Sequence, residues 1–326
     1  MSHLQASELF SVQGRVAVIT GGGSGKGYFS PDIDYEPKNV HADKTSGLGR
    51  IMAHALAVNG ASKVFVLGRR EDALQETAIQ GPAGTIIPVQ CDVTAKESLE
   101  AAYQAVASQT THVDVLFANS GIMGPLMPSP KPQEDGSLPS ISEVRDTLYN
   151  IPMSEFSKVM NVNVTGAYYT VLAFLPLLDA SNKRRPAPQA GVLSSPTAQV
   201  VITGSIAGFN RQPPFSYAYN ISKAAVHHLT KMLSTTLTSY DIRVNGIAPG
   251  LYYSDMADQI FSARGIQGNG ISDGSFPRDM IPLTRGGSEQ DLAGLIVWMT
   301  SASGGYLNGN IMVSDGGRLA TVPATY

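Results

Sequence analysis

Blocks of apolar residues alternate with more polar, helix-like stretches along the whole chain. Val16-Ala17-Val18-Ile19 and Val200-Val201-Ile202 are apolar at successive positions, as in strands covered on both faces. Runs of this kind predict strands at Val16–Thr20, Lys63–Leu67, Thr85–Gln90, Asp114–Ala118, Gln199–Thr203, Arg243–Ile247 and Ile311–Val313. Helix-like segments lie between them at Ile51–Val58, Glu71–Ile79, Ala95–Ser108, Met153–Leu178, Tyr217–Ser239 and Glu289–Ser301. This succession predicts an α/β fold with a doubly wound parallel sheet, three layers α/β/α, in a single domain spanning 1–326. Three stretches read as loops: Met127–Glu143, Ala180–Ala198 and Asp255–Gly287. The last has the size of a lid over a substrate, and its Met256, Ile260, Phe261 and Phe276, with Met123 and Phe209, suggest an apolar ligand. The alternative is that these side chains only pack the segment onto the core.

One polar stretch breaks the pattern. Thr20-Gly21-Gly22-Gly23-Ser24-Gly25 follows the first strand and should open directly into a helix, but Lys26–Gly47 intervenes before Leu48-Gly49-Arg50 and the helix. Without those 22 residues the chain reads T-G-G-G-S-G-L-G-R-I-M-A-H-A-L, an unbroken strand, glycine turn and helix. Such a turn presents backbone N–H groups to a pyrophosphate at a helix N-terminus. The sequence therefore nominates Gly21, Gly23, Ser24, Gly25, Leu48 and Gly49 as a nucleotide cradle, against the alternative of a tight turn that merely needs glycines.

Composition narrows the function classes. Apolar residues make up 43% of the 326, enough for a large core, and a net charge of −3 gives no basic footprint for nucleic acid. A single cysteine, Cys91, rules out a disulfide framework. Met1–Gln13 has no secretory pattern, and no run approaches the ~20 apolar residues that span a bilayer. The expectation is a soluble, cytoplasmic protein with neither membrane nor nucleic-acid partners. Lys183-Arg184-Arg185 reads as a solvated loop rather than a targeting signal. His227 and His228 are adjacent, hence on different helix faces, and have no ligand-spaced partner, so no metal site is expected.

Candidate chemistry gathers at the C-terminal ends of strands, where open α/β sheets bind ligands. The second strand ends in Arg69-Arg70 with no acid before Glu71, which favours the 2′-phosphate of NADP(H) over the free ribose hydroxyls of NAD, with NAD as the alternative. The third is followed by Asp92-Val93 and the fourth by Asn119-Ser120-Gly121, each a cofactor-facing turn or simply turn chemistry. Tyr219 and Lys223 are four apart, hence on one helix face, and Ser205 follows the fifth strand directly. A fixed ammonium beside a phenol favours the phenolate, which suits Tyr219 to proton exchange near neutral pH.

These motifs, in this order, resemble a short-chain dehydrogenase/reductase of the single-domain Y-x-x-x-K type, from Gln13 to Arg318. Around Ser205 and Tyr219 the wording is similar to fungal reductases of the rhamnolipid 3-oxoacyl-carrier-protein type. The resemblance implies a Rossmann fold, reversible hydride transfer between NADP(H) and a ketone or 3-oxoacyl-type carbonyl, and a homodimer or homotetramer built on the helices at Met153–Leu178 and Tyr217–Ser239. It implies Tyr219 as general acid/base, Lys223 as the ribose-binding residue that lowers the tyrosine pKa, and Ser205 as the residue orienting the carbonyl. Asn163 would hold a relay water, and Pro249, Gly250 and Ser254 would line the nicotinamide amide. Ser254 stands where the family usually has threonine, and Asn119-Ser120-Gly121 departs from N-N-A-G.

The 22-residue insert admits three readings. It is a tolerated excursion, whose closure costs only about 2.7 kcal/mol of chain entropy. Or it disrupts cofactor binding and leaves a fold that serves only as a subunit or binding partner. The third reading concerns origin and is compatible with either outcome, an in-frame retained intron: Gly25-Lys26 can be encoded with a GTAAG donor and Ser46-Gly47 with a CAG acceptor, and Ser46-Gly47 repeats Ser24-Gly25.

Overall fold

Seven strands form where the apolar runs lie: β1 Val16–Thr20, β2 Lys63–Gly68, β3 Ile86–Gln90, β4 Val115–Ala118, β5 Gln199–Thr203, β6 Arg243–Pro249 and β7 Ile311–Ser314. In the computed structural model, which describes residues 4–23, 47–125, 137–191, 193–212, 216–254 and 270–326, they make one parallel sheet in the order β3-β2-β1-β4-β5-β6-β7. The chain winds outward from β1 in one direction and then, from β4, in the other. Ligands in such sheets bind at that reversal, outside the carboxyl ends of β1 and β4.

Strand side chains alternate between two apolar layers. Val16, Val18, Phe65 and Leu67 join one core with α4 (Lys96–Ala107), α7 (Gly166–Lys183) and α8 (Tyr217–Leu237). Ala17, Ile19, Val64 and Val66 join the other with α2 (Leu48–Val58), α3 (Glu71–Ile79) and α9 (Glu289–Thr300). A one-turn α1 (Ala6–Leu9) precedes the sheet.

The helical expectations need three corrections. The predicted helix Met153–Leu178 is interrupted: α6 (Met153–Met160) passes through a π-helical turn, Asn161–Thr165, before α7 begins. Asn and β-branched residues are weak helix formers, and Asn163 spends its side chain outside the helix. Second, α7 runs on to Lys183, into the stretch read as a loop. Ser181 Oγ there donates to Asp114 Oδ1 at 2.6 Å, and Asn182 donates to Tyr240 O and Asp241 O. Third, α5 (Ile141–Tyr149) starts inside the predicted loop Met127–Glu143. A capping box starts it, Ser140 and Glu143 each satisfying the other's backbone N–H.

Residues 255–269 of the predicted lid, including Met256, Ile260 and Phe261, lie outside the described residues. From 270 to 287 the chain forms turns. Phe276 is buried there with Ile281 against Leu251, Tyr253 and Met280, so it packs the segment rather than facing a ligand.

Candidate active site

The two halves of the divided glycine turn meet in space. Gly21 has φ +70°, a conformation that only glycine adopts without strain. Its N–H and that of Gly22 donate to Leu67 O, at 2.7 and 3.3 Å, strapping the turn to the end of β2. A Cβ on Gly49 would run into Gly21 O and lie 2.7 Å from Asn119 Nδ2, so the start of α2 rests directly on the end of β1. Gly47 serves as N-cap, its carbonyl accepting from Arg50 and Ile51 N–H. Leu48 and Gly49 N–H therefore stand at the helix N-terminus, the end suited to an anion. Gly23 lies against Ala73 of α3. Ser24, Gly25 and insert residues 26–46 lie outside the described residues.

Behind this turn runs a network that the motif did not reveal. Arg50 is 1% exposed, pairs with Glu76 at 3.2 Å and donates from Nε to Thr77 Oγ1 at 3.1 Å. Thr77 Oγ1 in turn donates to Gly22 O at 2.8 Å. Helix α3 thus holds the turn through two side chains.

Asn119 staples three strands together. Its Nδ2 donates to Thr20 O and its Oδ1 accepts from Thr203 Oγ1, both at 3.0 Å. Thr20 Oγ1 accepts from Asn119 and Ser120 N–H, at 2.9 and 3.1 Å. Thr20 is therefore a structural partner of the site that the sequence reading passed over, although it opens the glycine motif. A Cβ on Gly121 would lie 3.3 Å from Asn163 Oδ1 and 3.5 Å from Lys223 Nζ, which places Gly121 beside the proposed catalytic group.

At the adenosine side, Arg69 and Arg70 are exposed at the end of β2. Asp92 Oδ1 accepts from Thr94 N–H and Oγ1, at 2.9 and 2.7 Å. Burial works to raise its pKa, but the Thr94 hydrogen bonds and the Arg69 charge bring it below the usual carboxylate value. Val93 is buried against Gly166, where α7 begins.

The Ser205, Tyr219, Lys223 and Asn163 side chains come together on the far side of Gly121. Ser205 caps a 3-10 turn, Ile206–Gly208, its Oγ accepting from Ala207 N–H at 3.1 Å, and hydrogen-bonds the Tyr219 phenol. Ser216 caps α8 by accepting from Tyr219 N–H, which fixes the start of the helix that carries Tyr219 and Lys223. Lys223 is 4% exposed and its Nζ donates to Thr203 O at 2.7 Å, 5.6 Å from the Tyr219 ring centroid. Tyr217 is exposed, and four residues on from it stands Ile221 rather than a lysine.

The electrostatics differ from the expectation that Lys223 lowers Tyr219. Burial pushes the phenol above its ordinary value, the Ser205 hydrogen bond only partly opposing it. The ammonium is aimed at a carbonyl rather than at the phenol, and burial draws it down to about 8. Asn163 is also more committed than expected. Its Oδ1 accepts from Ile122 N–H at 2.8 Å, and its Nδ2 donates to Ile122 O and Ser222 Oγ at 3.0 and 2.9 Å. Gly250 N–H donates to Ser314 O, and a Cβ there would lie 2.7 Å from Asp315 Cα, so Pro249-Gly250 turns tightly against the end of β7. Ser254 Oγ donates to Tyr252 O at 3.4 Å.

A parallel sheet reversing at β1 and β4, a glycine turn there, and a serine, tyrosine and lysine converging beyond it define a nucleotide-dependent oxidoreductase architecture. Residues 43–265 match the family model of the short chain dehydrogenases, and the chain belongs to that family of oxidoreductases. Among its relatives is the short-chain dehydrogenase/reductase PhomF of Diaporthe leptostromiformis, 38% identical over 324 residues, 99% of this chain and 97% of the relative. The rhamnolipids biosynthesis 3-oxoacyl-acyl-carrier-protein reductase of Pseudomonas aeruginosa is 28% identical over 94% of this chain and 97% of its own length. Among solved structures, the Pseudomonas aeruginosa RhlG/NADP active-site complex is similar with a TM-score of 0.69 and 27% identity, over 95% of this chain and 98% of that one.

Proposed function

We propose that the chain is an NADP(H)-dependent reductase interconverting a ketone or 3-oxoacyl-type carbonyl and a secondary alcohol. The observation that carries this reading is the convergence of the Ser205 and Tyr219 hydroxyls beside buried Lys223, across Gly121 from the Gly21–Gly49 cradle. The residues present fit a dinucleotide: Gly21, Gly23, Leu48 and Gly49 for the pyrophosphate, Arg69 and Arg70 for a 2′-phosphate, and Asp92, Val93, Asn119 and Gly121 for the adenosine half. Lys223 would bind the nicotinamide ribose, and Pro249, Gly250 and Ser254 would line the amide. Exposed arginines at the end of β2 support NADP(H) over NAD.

When bound, the cofactor supplies or accepts the hydride. Ser205 Oγ hydrogen-bonds the carbonyl oxygen and orients it, and Tyr219 Oη gives that oxygen its proton as the alcohol forms. Burial keeps the phenol protonated at neutral pH, which suits the reductive direction. Both N–H groups of the Asn163 amide are engaged and its Oδ1 accepts from Ile122 N–H, so a relay water at this side chain would donate to the remaining lone pair of Oδ1. The name of the rhamnolipid reductase supports a 3-oxoacyl substrate, and the NADP of the RhlG complex supports the phosphorylated cofactor.

Tyr219→Phe removes the proton donor without touching the cradle. Turnover falls by about 10²-fold or more, while NADPH affinity, read by fluorescence titration, stays within about twofold, since the cofactor contacts remain. A variant with near-normal turnover overturns the assignment. The competing reading, a fold without turnover, rests on the insert at 26–47; tight NADPH binding and carbonyl reduction by the full-length chain eliminate it.

A further inference from the structure

Ser205 sits where the sheet stops supplying hydrogen-bond partners. Along β5 the N–H groups alternate in direction: that of Gln199 donates to Asp114 O on the β4 side, that of Gly204 to Ile247 O of β6. By this alternation the Ser205 N–H falls on the β4 side, beyond Ala118, the last β4 residue to pair with β5. Its acceptor is a side chain, His227 Nε2, at 3.4 Å. His227 lies one turn past Lys223 on α8 and is 6% exposed, whereas its neighbour His228 faces solvent.

The surroundings are shaped around this imidazole. A Cβ on Gly204 would run into Nε2, and one on Gly208 would lie 2.7 Å from Cε1, so the two glycines bracketing the Ser205 turn leave the room the ring fills. Phe209 stacks on the ring at 4.2 Å and 28°, and Tyr326 packs on the other partner of that stack, 5.0 Å from Phe209. Asn210 bridges to Ala324, and Thr325 N–H donates to Phe209 O, so the last described residues brace the turn from outside. His227 Nδ1 is buried with no hydrogen-bond partner among the described residues. When Nε2 accepts, Nδ1 must carry the proton, and a buried donor without a partner costs stability. A leucine would fill the space without that cost. What it would lack is the acceptor.

We propose that His227 is a positioning residue for the reductase chemistry: as a neutral imidazole protonated on Nδ1, it accepts the Ser205 N–H and so fixes Ser205 Oγ between Ala207 N–H and the Tyr219 phenol. Burial, with the Lys223 and Lys231 ammoniums, draws its pKa down to about 4, so the acceptor persists through neutral pH. The role presupposes the reductase reading above, and the test separates the two.

The full-length chain is assayed by NADPH oxidation with 9,10-phenanthrenequinone as the carbonyl probe. His227→Leu lowers kcat about tenfold, with KM and NADPH affinity within about twofold, because orientation and not binding is lost. His227→Gln returns an acceptor oxygen to the place of Nε2 and recovers kcat to within about threefold. A leucine variant with wild-type kcat, or a glutamine variant as impaired as the leucine one, overturns the proposal. Long-range 15N–1H correlation on histidine-labelled wild type is independent of turnover: it finds His227 neutral and protonated on Nδ1 around pH 7. An Nε2–H or doubly protonated ring overturns the proposal. Absence of NADPH oxidation by the wild type overturns the reductase reading, and the tautomer then decides the Ser205 contact alone.

Discussion

Lys223 is a cation in surroundings that disfavour cations. Burial lowers it from 10.5 to about 8, so its charge is lost as pH rises through about 8. Between there and 10.5 the unfolded chain binds the extra proton, so this group makes the fold more stable as pH rises across that window. Function moves the other way, because the proposed ribose contact loses its charge. Reductive turnover is expected to hold level at about pH 6 to 7 and to fall as pH rises through about 8, while the Tm does not fall with it in that step. Parallel pH profiles of kcat/KM and thermal unfolding check this; a coincident loss of both would trace the decline to unfolding instead. The Ser205, Tyr219 and Lys223 set was legible because residue type and i, i+4 spacing survive in one dimension. The direction of the ammonium was not, since Thr203 O, its acceptor, is a main-chain atom that no side-chain motif encodes. His227 was hidden for a related reason: its partner is the Ser205 N–H, and only the folded chain brings Gly204 and Gly208 around the ring.

Among the elements, α9 shows how a helix end holds a loop. Asp291 takes Ser288 N–H in a capping box and a two-pronged contact from Arg285, at 2.6 and 3.1 Å. The Arg285 hydrogen bond leads in holding its carboxyl well below the usual range. Asp291→Asn keeps the shape but removes the charge that faces both Arg285 and the helix N-terminus, and is expected to cost about 1 kcal/mol in urea unfolding. No loss beyond about 0.3 kcal/mol would show the pair to be a solvated surface contact. Strands were read from sequence to within two residues, because burial on both faces writes an uninterrupted apolar run. Helix limits were read less well. The break at Asn161–Thr165 depends on what Asn163 bonds across the site, and α5 depends on a capping pair that a Pro- and Ser-rich setting disguised. Phe276 looked like a ligand contact because exposure cannot be read from an aromatic residue in a turn-rich segment; its neighbours place it in a small core of its own.

At the scale of the molecule, the question is what the insert does to the cradle. Removing 26–47 joins Gly25 to Leu48, so that Gly25 takes over the N-cap place that Gly47 holds. The shortened chain is expected to bind NADPH at least as tightly as the full one, read by titration calorimetry, because the loop no longer has to be closed at an entropic cost. Weaker binding by the shortened chain would show that the excursion itself completes the cradle. The retained-intron origin is checked on the transcript: mature messages that all keep the segment, or coding DNA without splice signals, refute it. We further propose a homodimer or homotetramer through α7 and α8, which leave Tyr168, Ile221 and Met232 exposed. Light scattering should return two or four times 34.4 kDa. Among the described residues no helix is long and apolar enough to cross a membrane.

The contact between Gly21 and Gly49 has a practical corollary. Because Gly21 and Gly49 touch, the stretch of chain between them, which contains the insert, begins and ends at neighbouring points, the arrangement a guest domain with adjacent termini requires. A fluorescent reporter grafted in its place would stand astride the cradle, and its emission would register nucleotide occupancy without any substrate being known.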